Sequence, residues 1–319
     1  MGDFILPKQW NQSLALRSTY MFNGRWYLNG MLQLEQEHPN ANTLYIDPSV
    51  QSGVSSFAYP IKGQWHLISI VHKGMKWDGQ IDLYQLNKWG ISGHENFYHD
   101  YYNAFVYGMY GNENRLTRGI DLSLEKEWYG VWKGSVVGSF KNEIITNNPV
   151  YEIRNVNDLF KMESGQLLLK GLPFSNSAKW YGATLIEYKP NLRWQFSINH
   201  IWAGSRPINY NYFKRTNWVK QHVLSDSLWN QLLKVDQLPS THVIEGSILR
   251  SSYTRQKTTL LKWQWKLQWQ YLFGSNYIPL YVNESSRFDY NTFSNKKFPS
   301  KWLLMQPLSV RFSILFQIQ

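Results

Sequence analysis

Four side chains able to ligate a metal or to move protons lie within a short segment: His94, Glu95, His99 and Asp100. Imidazole and carboxylate groups are common protein ligands of Zn²⁺, so the spacing raises the hypothesis of a metal site. In a polar connecting segment such groups are more often solvated or hydrogen-bonded. We therefore expect no metal and no cofactor at this position.

A second pair, Ser197 and His200, has the residue types of a hydrolase nucleophile and its base. Outer-membrane phospholipases are β-barrels that use such a pair in catalysis. A β-barrel enzyme is therefore one hypothesis for the function of this chain. Residues three apart on a strand point to opposite faces, and no third polar partner accompanies these two. The chain also lacks the G-x-S-x-G and H-E-x-x-H motifs. We expect no catalytic residues and no enzyme activity.

Strands are the elements that would position any site, because the strongest hydrophobic period is two. Apolar and polar residues alternate over 120–125, 192–202, 262–271 and 308–319. The longer runs are sufficient to cross a bilayer at a tilt of about 45°. Strands of a soluble β-sandwich, the alternative fold, are shorter. We predict an all-β fold, an antiparallel transmembrane β-barrel with about 12 strands in this chain.

Short turns and long connections alternate along the chain. The predicted turns are Asn23-Gly24, Asp78-Gly79, Tyr129-Gly130 and Pro190-Asn191. The predicted long connections are 38–63, 90–103, 147–179, 204–241 and 275–307. This layout is typical of bacterial outer-membrane barrels, in which the long loops are extracellular. Helical spacing over 217–235, after a possible cap at Thr216, predicts one short loop helix that packs over the barrel mouth.

The composition favours a membrane barrel over a soluble domain. Of the 319 residues, 17% are aromatic and only 17% are charged, whereas soluble domains are about a quarter charged. No apolar stretch is long enough for a transmembrane helix. Trp and Tyr are enriched at membrane interfaces, and we predict Trp128, Trp132, Trp202 and Trp263 as girdle residues. The absence of cysteine suits export through an oxidising periplasm.

The formal net charge of +11 points to anionic partners. The 33 Lys and Arg residues are scattered without a basic run, which argues against nucleic acid. We expect outer-membrane lipid and lipopolysaccharide as partners, with Arg206, Lys214 and Arg215 engaging lipopolysaccharide phosphates.

The connection over 204–241 sets aromatic rings and amides beside basic groups. This composition suits a small-molecule, glycan or peptide ligand, bound by stacking and hydrogen bonds. The alternative is that these aromatic loops only cover one another at the barrel mouth. His66 and His72 lie on strand runs and are expected on the polar wall of the lumen. The predicted ligand-facing residues are Arg206, Asn209, Tyr210, Tyr212 and Arg215.

Several segments together resemble the C-terminal half of the barrel of a TonB-dependent outer-membrane receptor. Arg118-Gly119-Ile120-Asp121-Leu122 resembles a recurring strand start of these receptors. Phe97-Tyr98-His99-Asp100, followed by 102–106, resembles a loop-to-strand passage. Residues 271–277 resemble a late barrel element, with Tyr271 in place of the usual Asn, and the amphipathic last strand fits as well. The resemblance implies uptake of a large or scarce nutrient across the outer membrane of a Gram-negative bacterium.

The same resemblance bears on whether this chain forms a whole barrel or a part of one. Barrels of these receptors have about 22 strands around a plug, which TonB displaces. No plug segment can be assigned, the opening MGDFILPKQW is not a signal peptide, and the last residue, Gln319, is not aromatic. We expect residues 1–319 to be the C-terminal portion of a larger outer-membrane β-barrel. The alternative is a complete small porin-like barrel of about 12 strands.

Overall fold

The computed structural model describes the central part of the chain almost continuously and the remainder in shorter pieces. The described ranges are 11–38, 45–47, 52–54, 57, 60–157, 159–174, 178–207, 212–223, 225–235, 237–256, 259–273, 277–280, 288–289, 294–295, 301–304 and 308–318.

Thirteen antiparallel strands form one sheet. They are β1 (Gln12–Asn23), β2 (Trp26–Glu37), β3 (Ile61–Lys73), β4 (Trp77–His99), β5 (Ala104–Trp128), β6 (Trp132–Ile145), β7 (Val150–Asn155), β8 (Lys161–Gln166), β9 (Trp180–Asn191), β10 (Trp194–Ala203), β11 (Thr241–Gln256), β12 (Thr259–Phe273) and β13 (Leu308–Ile318). Eleven of them form a meander in the order β1-β2-β3-β4-β5-β6-β9-β10-β11-β12-β13, while β7 pairs with β5 and β8 with β7. The prediction of an all-β antiparallel fold with about 12 strands is confirmed.

Smaller elements lie in the connections of the described chain. Two-stranded ribbons pair Tyr45–Asp47 with Ser52–Val54, Arg206–Pro207 with Gln237–Leu238, Tyr277–Leu280 with Lys301–Leu304, and Phe288–Asp289 with Ser294–Asn295. A 3₁₀ turn at Phe213–Arg215 precedes helices α1 (Asn217–His222) and α2 (Asp226–Leu233). No helix of the described residues has the length and apolar character needed to cross a bilayer.

The helical segment differs from the single helix that the sequence predicts over 217–235. Thr216 caps α1 as expected, its Oγ1 accepting the Val219 N–H at 3.0 Å. The backbone then turns extended at Val223, and Ser225 caps a second helix by accepting the Leu228 N–H at 3.3 Å. Ser favours the N-cap position over a helix interior, so the segment divides into two helices.

Two of the four predicted turns occur where the sequence places them. Asn23-Gly24 joins β1 to β2, and Tyr129-Gly130 joins β5 to β6. Tyr129 and Gly130 both adopt left-handed backbone conformations, with φ of 53° and 66°. Positive φ at consecutive turn residues is a conformation that tight hairpins use and that glycine accepts without strain.

The other two turns are displaced. Asp78-Gly79 lies inside β4, and the turn is at residues 74–76. The Asp78 carboxylate accepts the Gly74 N–H at 3.0 Å, and this hydrogen bond stabilises the turn before Asp78. Asn191 ends β9, and its side-chain oxygen accepts the N–H groups of Arg193 and Trp194 at 2.9 and 3.1 Å. The chain therefore reverses at residues 192–193.

The predicted long connection over 90–103 is wrong. β4 continues to His99 and β5 begins at Ala104, so these two strands form a long hairpin that extends beyond their neighbours. The first residues of β5, from Val106 to Gly111, pair with β7, so β7 and β8 extend the main sheet next to the hairpin. The other long connections alternate with short turns, as the sequence predicts.

Cross-strand register separates the sheet into two faces. Ile81 is opposite Leu122 on one face, and Gln80 is opposite Ser123 on the other. We call these the apolar face and the polar face. The apolar face is exposed: its large exposed hydrophobic side chains include Leu14, Leu16, Ile68, Ile70, Leu83, Ile120, Phe140, Ile186, Ile198, Val310 and Phe312.

The alternation in β3 corrects the expected position of two histidines. His66 and His72 are in line with Ile68 and Ile70, so they lie on the apolar face and not on the polar one. The ring of His72 stacks on Trp77 with centroids 3.6 Å apart. An imidazole held against an indole explains how a polar ring occupies this apolar surface.

Aromatic side chains border the apolar face at both ends. Next to the short turns lie Trp26, Trp77, Trp128, Trp132, Tyr188, Trp194, Phe196, Trp263 and Trp265, and at the opposite end lie Trp180, Trp202, Tyr271 and Phe273. Several of these rings pack together, for example Trp132 on Tyr188 with centroids 4.3 Å apart. Trp128, Trp132 and Trp263 thus lie at one border and Trp202 at the other, and their role as girdle residues remains a prediction.

The two ends of the meander have one neighbour each. Among the described strand pairings β1 bonds only to β2, and β13 only to β12. All residues of β1 and the described side chains of β13 are exposed. An antiparallel meander of eleven strands has first and last strands that run in the same direction.

Candidate functional site

The polar face of β10–β13 carries a depression of about 360 Å³. We call its lining the polar wall; its polar side chains are Ser197, Asn199, Glu245, Ser247, Lys266, Gln268, Gln270, Ser309 and Arg311. They project from alternate positions of adjacent strands, and register brings Ser197 opposite Ser247 and Lys266 opposite Ser313. The period-two pattern alone therefore assembles this surface.

Hydrogen bonds across strands hold the polar wall in place. The hydroxyls of Ser197 and Ser247 are 2.8 Å apart, and the Asn199 amide donates to the Glu245 carboxylate at 3.4 Å. Lys266 and Arg311 add two cations. Hydroxyl, amide and charged groups in one concave surface are suited to binding a polar ligand by several hydrogen bonds.

A second candidate surface is the lobe built on the long β4–β5 hairpin. We use this name for 91–113, 145, β7, β8, 167–174, 212–223 and 225–235. The register of β4 with β5 shifts between Lys88 and Gly93, and Gly90 has φ of 76°. A Cβ at Gly90 would lie 2.8 Å from the Pro60 carbonyl oxygen. A register shift of this kind is typical of a β-bulge, which bends a strand, and it separates the inner part of the hairpin from the part in the lobe.

The lobe has its own hydrophobic core. Its buried residues are Phe97, Val106, Ile145, Tyr151, Ile153, Leu167, Leu169, Phe213, Val219, Trp229 and Leu232. The 3₁₀ turn and α1 are attached to β8 and the residues that follow it, and α2 contributes Trp229 and Leu232 to the same core. The Leu168 N–H donates to the Arg215 carbonyl at 2.7 Å, and the Gln166 N–H donates to the Asn217 side chain at 3.1 Å. The helices are therefore part of a packed unit.

The predicted ligand-facing residues do not form one surface. Arg206 is exposed in a two-residue strand, and Tyr212 is half-buried against Tyr110 with ring centroids 4.8 Å apart. Arg215 is completely buried, and Lys214 is 1% exposed, so neither presents its side chain to a ligand or to lipopolysaccharide. Both belong to the 3₁₀ turn that packs into the lobe. Asn209 and Tyr210 lie outside the described residues.

A buried carboxyl group joins three elements of the lobe. Glu163 of β8 accepts hydrogen bonds from the Tyr151 hydroxyl and from the Tyr102 hydroxyl, the latter at 3.1 Å. Burial raises the pKa of Glu163, and it raises the pKa of both tyrosines, with the nearby carboxylate adding to the effect. This network ties β7 and β8 to the tip of the β4–β5 hairpin. Sequence reasoning missed it, because its members are separated by up to 61 residues.

The segment of the hypothesised metal site contains no convergent ligand set. His99 is completely buried next to Tyr102, with ring centroids 4.5 Å apart, whereas His94 and Glu95 are half-buried on β4. Burial lowers the pKa of His99 to about 3, so its ring is neutral at physiological pH. Among the described residues, no group of three or more His, Cys, Asp or Glu side chains is placed to hold a metal ion.

Ser197 and His200 lie on opposite faces of β10, as their spacing predicts. Ser197 bonds to Ser247 on the polar wall, whereas a ring nitrogen of His200 lies 3.3 Å from a ring nitrogen of His242 on the apolar face. The two residues therefore cannot act as nucleophile and base in one site.

The comparisons with known proteins add a distant structural likeness. No protein family and no curated protein sequence matches this chain. Among solved structures, it is similar to the ferric yersiniabactin uptake receptor FyuA from Yersinia pestis, with a TM-score of 0.43 and 12% sequence identity. The likeness covers 82% of this chain and 36% of the other, so this chain spans about a third of that receptor's length.

Proposed function

We propose that the chain forms part of the transmembrane barrel of an outer-membrane uptake receptor in a Gram-negative bacterium. The observation that carries this proposal is the continuous separation of an exposed apolar face from a polar face across eleven strands. A soluble protein covers such an apolar surface with a second layer, whereas lipid covers it in a barrel. The polar face would then line the lumen.

The height of the apolar face supports the same reading. Trp194 and Trp202 lie on one face of β10, eight residues apart. At a rise of about 3.3 Å per residue they are separated by about 26 Å along the strand. At a strand tilt of about 35–45° this corresponds to a height of about 20 Å, a few ångströms less than the apolar band of outer-membrane barrels, which is about 25 Å tall and bordered by aromatic girdles.

The strand count supports a barrel that is larger than this sheet. Because the meander has eleven strands, direct pairing of β1 with β13 would be parallel. Bacterial outer-membrane barrels are antiparallel and have an even number of strands. An odd number of further strands would close the barrel and pair both edges, which would otherwise leave backbone groups bare in lipid. This argument favours a portion of a larger barrel over a complete small porin-like barrel, the second candidate.

The ligand would be a large or scarce polar nutrient, such as a chelate, glycan or peptide. The polar wall offers it hydroxyl, amide and charged groups, and the lobe would stand with the long connections on the extracellular side. A plug inside the completed barrel, moved by TonB, would supply the energy-dependent step that the sequence resemblance implies. Ser197 and His200 do not support the barrel-enzyme alternative.

The absence of cysteine makes a labelling experiment free of background. Leu122→Cys and Ser123→Cys place single thiols on the apolar and the polar face of β5. In outer-membrane fractions, we expect a charged maleimide to label Ser123→Cys and a lipid-soluble maleimide to label Leu122→Cys. The proposal fails if the charged reagent labels both positions at equal rates, or if the chain does not sediment with outer membranes even when the further strands that complete the barrel are supplied.

Gel mobility with and without heating distinguishes the two barrel candidates. A compact band from the chain alone, which slows on boiling, would indicate that these strands close by themselves and would favour the small barrel. A band that shifts only when further strands of the receptor are supplied would support the larger barrel.

A further inference from the structure

A row of four polar side chains crosses the apolar face of β3–β6. His66 is opposite Gln85, Gln85 is opposite Arg118, and Arg118 is opposite Asn142. Direct register makes these four residues lateral neighbours on adjacent strands. His66, Arg118 and Asn142 are exposed, and Gln85 is half-buried. We call them the polar row.

Directly adjacent to the polar row, toward the short turns, lies an unbroken apolar row: Ile68, Leu83, Ile120 and Phe140, again in direct register. Each of these side chains is about half exposed. The two rows together line one depression of about 480 Å³. Polar groups at one border of an apolar cleft match a lipid molecule, with its headgroup at the border and its chains on the apolar side.

Arg118 provides the charge that this site would need. Its Nε donates to the Gln85 side-chain oxygen at 2.9 Å, and it makes no ion pair within the described residues. Lys126 and Arg250 also lie on the apolar face, near the short turns and over the rings of Trp128 and Trp194. Lys62 lies on the same face, four residues from His66 toward the long connections. A guanidinium fixed through Nε keeps its two terminal amino groups for another acceptor, and such a fork fits phosphate.

We propose that the polar row binds a lipid A phosphate of lipopolysaccharide, with an acyl chain lying along Ile68, Leu83, Ile120 and Phe140. This inference rests on the proposed function, which makes the apolar face lipid-facing and the long connections extracellular. The polar row lies on the side of the long connections, at the outer leaflet, where lipopolysaccharide is the phosphate-bearing lipid. Arg118 thereby takes the role that the sequence suggested for Lys214 and Arg215.

Native mass spectrometry of the full chain, extracted from outer membranes and titrated with lipopolysaccharide, tests this site. We expect Arg118→Gln to lower the bound fraction about tenfold, because a charge-assisted bidentate contact is lost. Arg118→Lys keeps the charge without the fork and is expected to be intermediate. Arg250→Gln, on the same face near the short turns, is the matched control and is expected to bind like wild type.

The outcomes separate the site from the proposed function. If Arg118→Gln inserts into outer membranes but binds lipopolysaccharide like wild type, the site is wrong and the barrel proposal stands. Binding of phosphatidylglycerol with the same dependence on Arg118, and no binding of lipopolysaccharide, also overturns the assignment. If the wild-type chain does not insert even when the further strands that complete the barrel are supplied, both proposals are wrong.

Discussion

The indole of Trp202 in β10 covers the backbone of Gly182 in β9, its direct cross-strand partner. A Cβ at Gly182 would overlap that ring and would lie 2.8 Å from the Val137 carbonyl oxygen. Gly138, opposite Gly182 on β6, has no atom within 4 Å of its Cβ position. The lack of a side chain at Gly182 therefore allows the Trp202 indole to pack against the backbone, whereas no neighbouring atom requires glycine at position 138.

Gly182→Ala should destabilise the protein by about 1–3 kcal/mol, because the added methyl group displaces the indole. Gly138→Ala should be neutral or stabilising by a few tenths of a kcal/mol, since glycine weakens a strand interior. The measurement is the free energy of unfolding in urea, with the protein in detergent micelles. Equal effects of the two substitutions would contradict the packing described for Trp202.

Arg215→Ala should destabilise the lobe by about 2–4 kcal/mol, because a completely buried side chain is removed and a cavity remains. Arg206→Ala, which changes an exposed arginine, should leave stability within about 0.5 kcal/mol of wild type. Native-state proteolysis of the lobe with chymotrypsin measures both. Equal protease resistance of the lobe in Arg215→Ala and in wild type would contradict the burial of Arg215 and would favour the ligand-facing role predicted from the sequence.

The strands of the main sheet could be predicted from the sequence, whereas the packing of the lobe could not. Alternation of residues such as Ile120, Asp121 and Leu122 reports which face each side chain occupies, and this pattern is local. Arg215 lies in a polar segment, yet it is completely buried in the lobe, where its carbonyl accepts the Leu168 N–H. Partners distant in sequence decide that burial, and no short pattern records them.

The long β4–β5 hairpin illustrates the same limit. Residues 90–103 contain Gly, His, Asn and Asp, which suggest a connection, but within 91–99 the strand pairs with β5, which in turn pairs with β7. Tertiary pairing overrides the local composition. The polar row was also visible only after register was known, because His66, Gln85, Arg118 and Asn142 come from four separate strands.

The lobe should lose stability in acid through His99. Its pKa is lowered from 6.5 to about 3 in the folded state, so the unfolded chain binds the proton more readily between these values. The free energy of unfolding is therefore unaffected by the protonation of this ring above pH 6.5, and it declines by about 1.4 kcal/mol for each pH unit between pH 6.5 and pH 3. His99→Gln should remove this slope, whereas His222→Gln, at an exposed ring of α1, should retain it.

Stability against pH is best measured in a Glu163→Gln background. Burial raises the pKa of Glu163 above 4.5, so the folded state holds this proton more tightly and stability falls as pH rises through that range. The carboxyl group therefore opposes the slope of His99, and the amide removes its contribution. Tryptophan fluorescence during urea unfolding at pH 7.5, 6 and 5 gives the slope. A slope unchanged by His99→Gln would assign the acid sensitivity to another group.

Glu163 should stabilise the lobe mainly as a hydrogen-bond acceptor and less through its charge. The amide of Glu163→Gln keeps an oxygen for one tyrosine hydroxyl and places a donor near the other, whose oxygen can accept. We expect this variant to change the stability of the lobe by less than about 1 kcal/mol. Glu163→Ala removes the acceptor of the buried Tyr151 hydroxyl and should cost about 2–4 kcal/mol, because a buried polar group loses its hydrogen bond.

A double-mutant cycle with Tyr151→Phe separates the hydrogen bond from the packing of the carboxyl side chain. If the Glu163–Tyr151 bond carries the effect, Glu163→Ala should cost less in the Tyr151→Phe background, by about 1–2 kcal/mol, because no hydroxyl is left without its acceptor. Native-state proteolysis of the lobe supplies the four free energies. Additive effects of the two substitutions would mean that Glu163 acts only by filling space between β7, β8 and the hairpin tip.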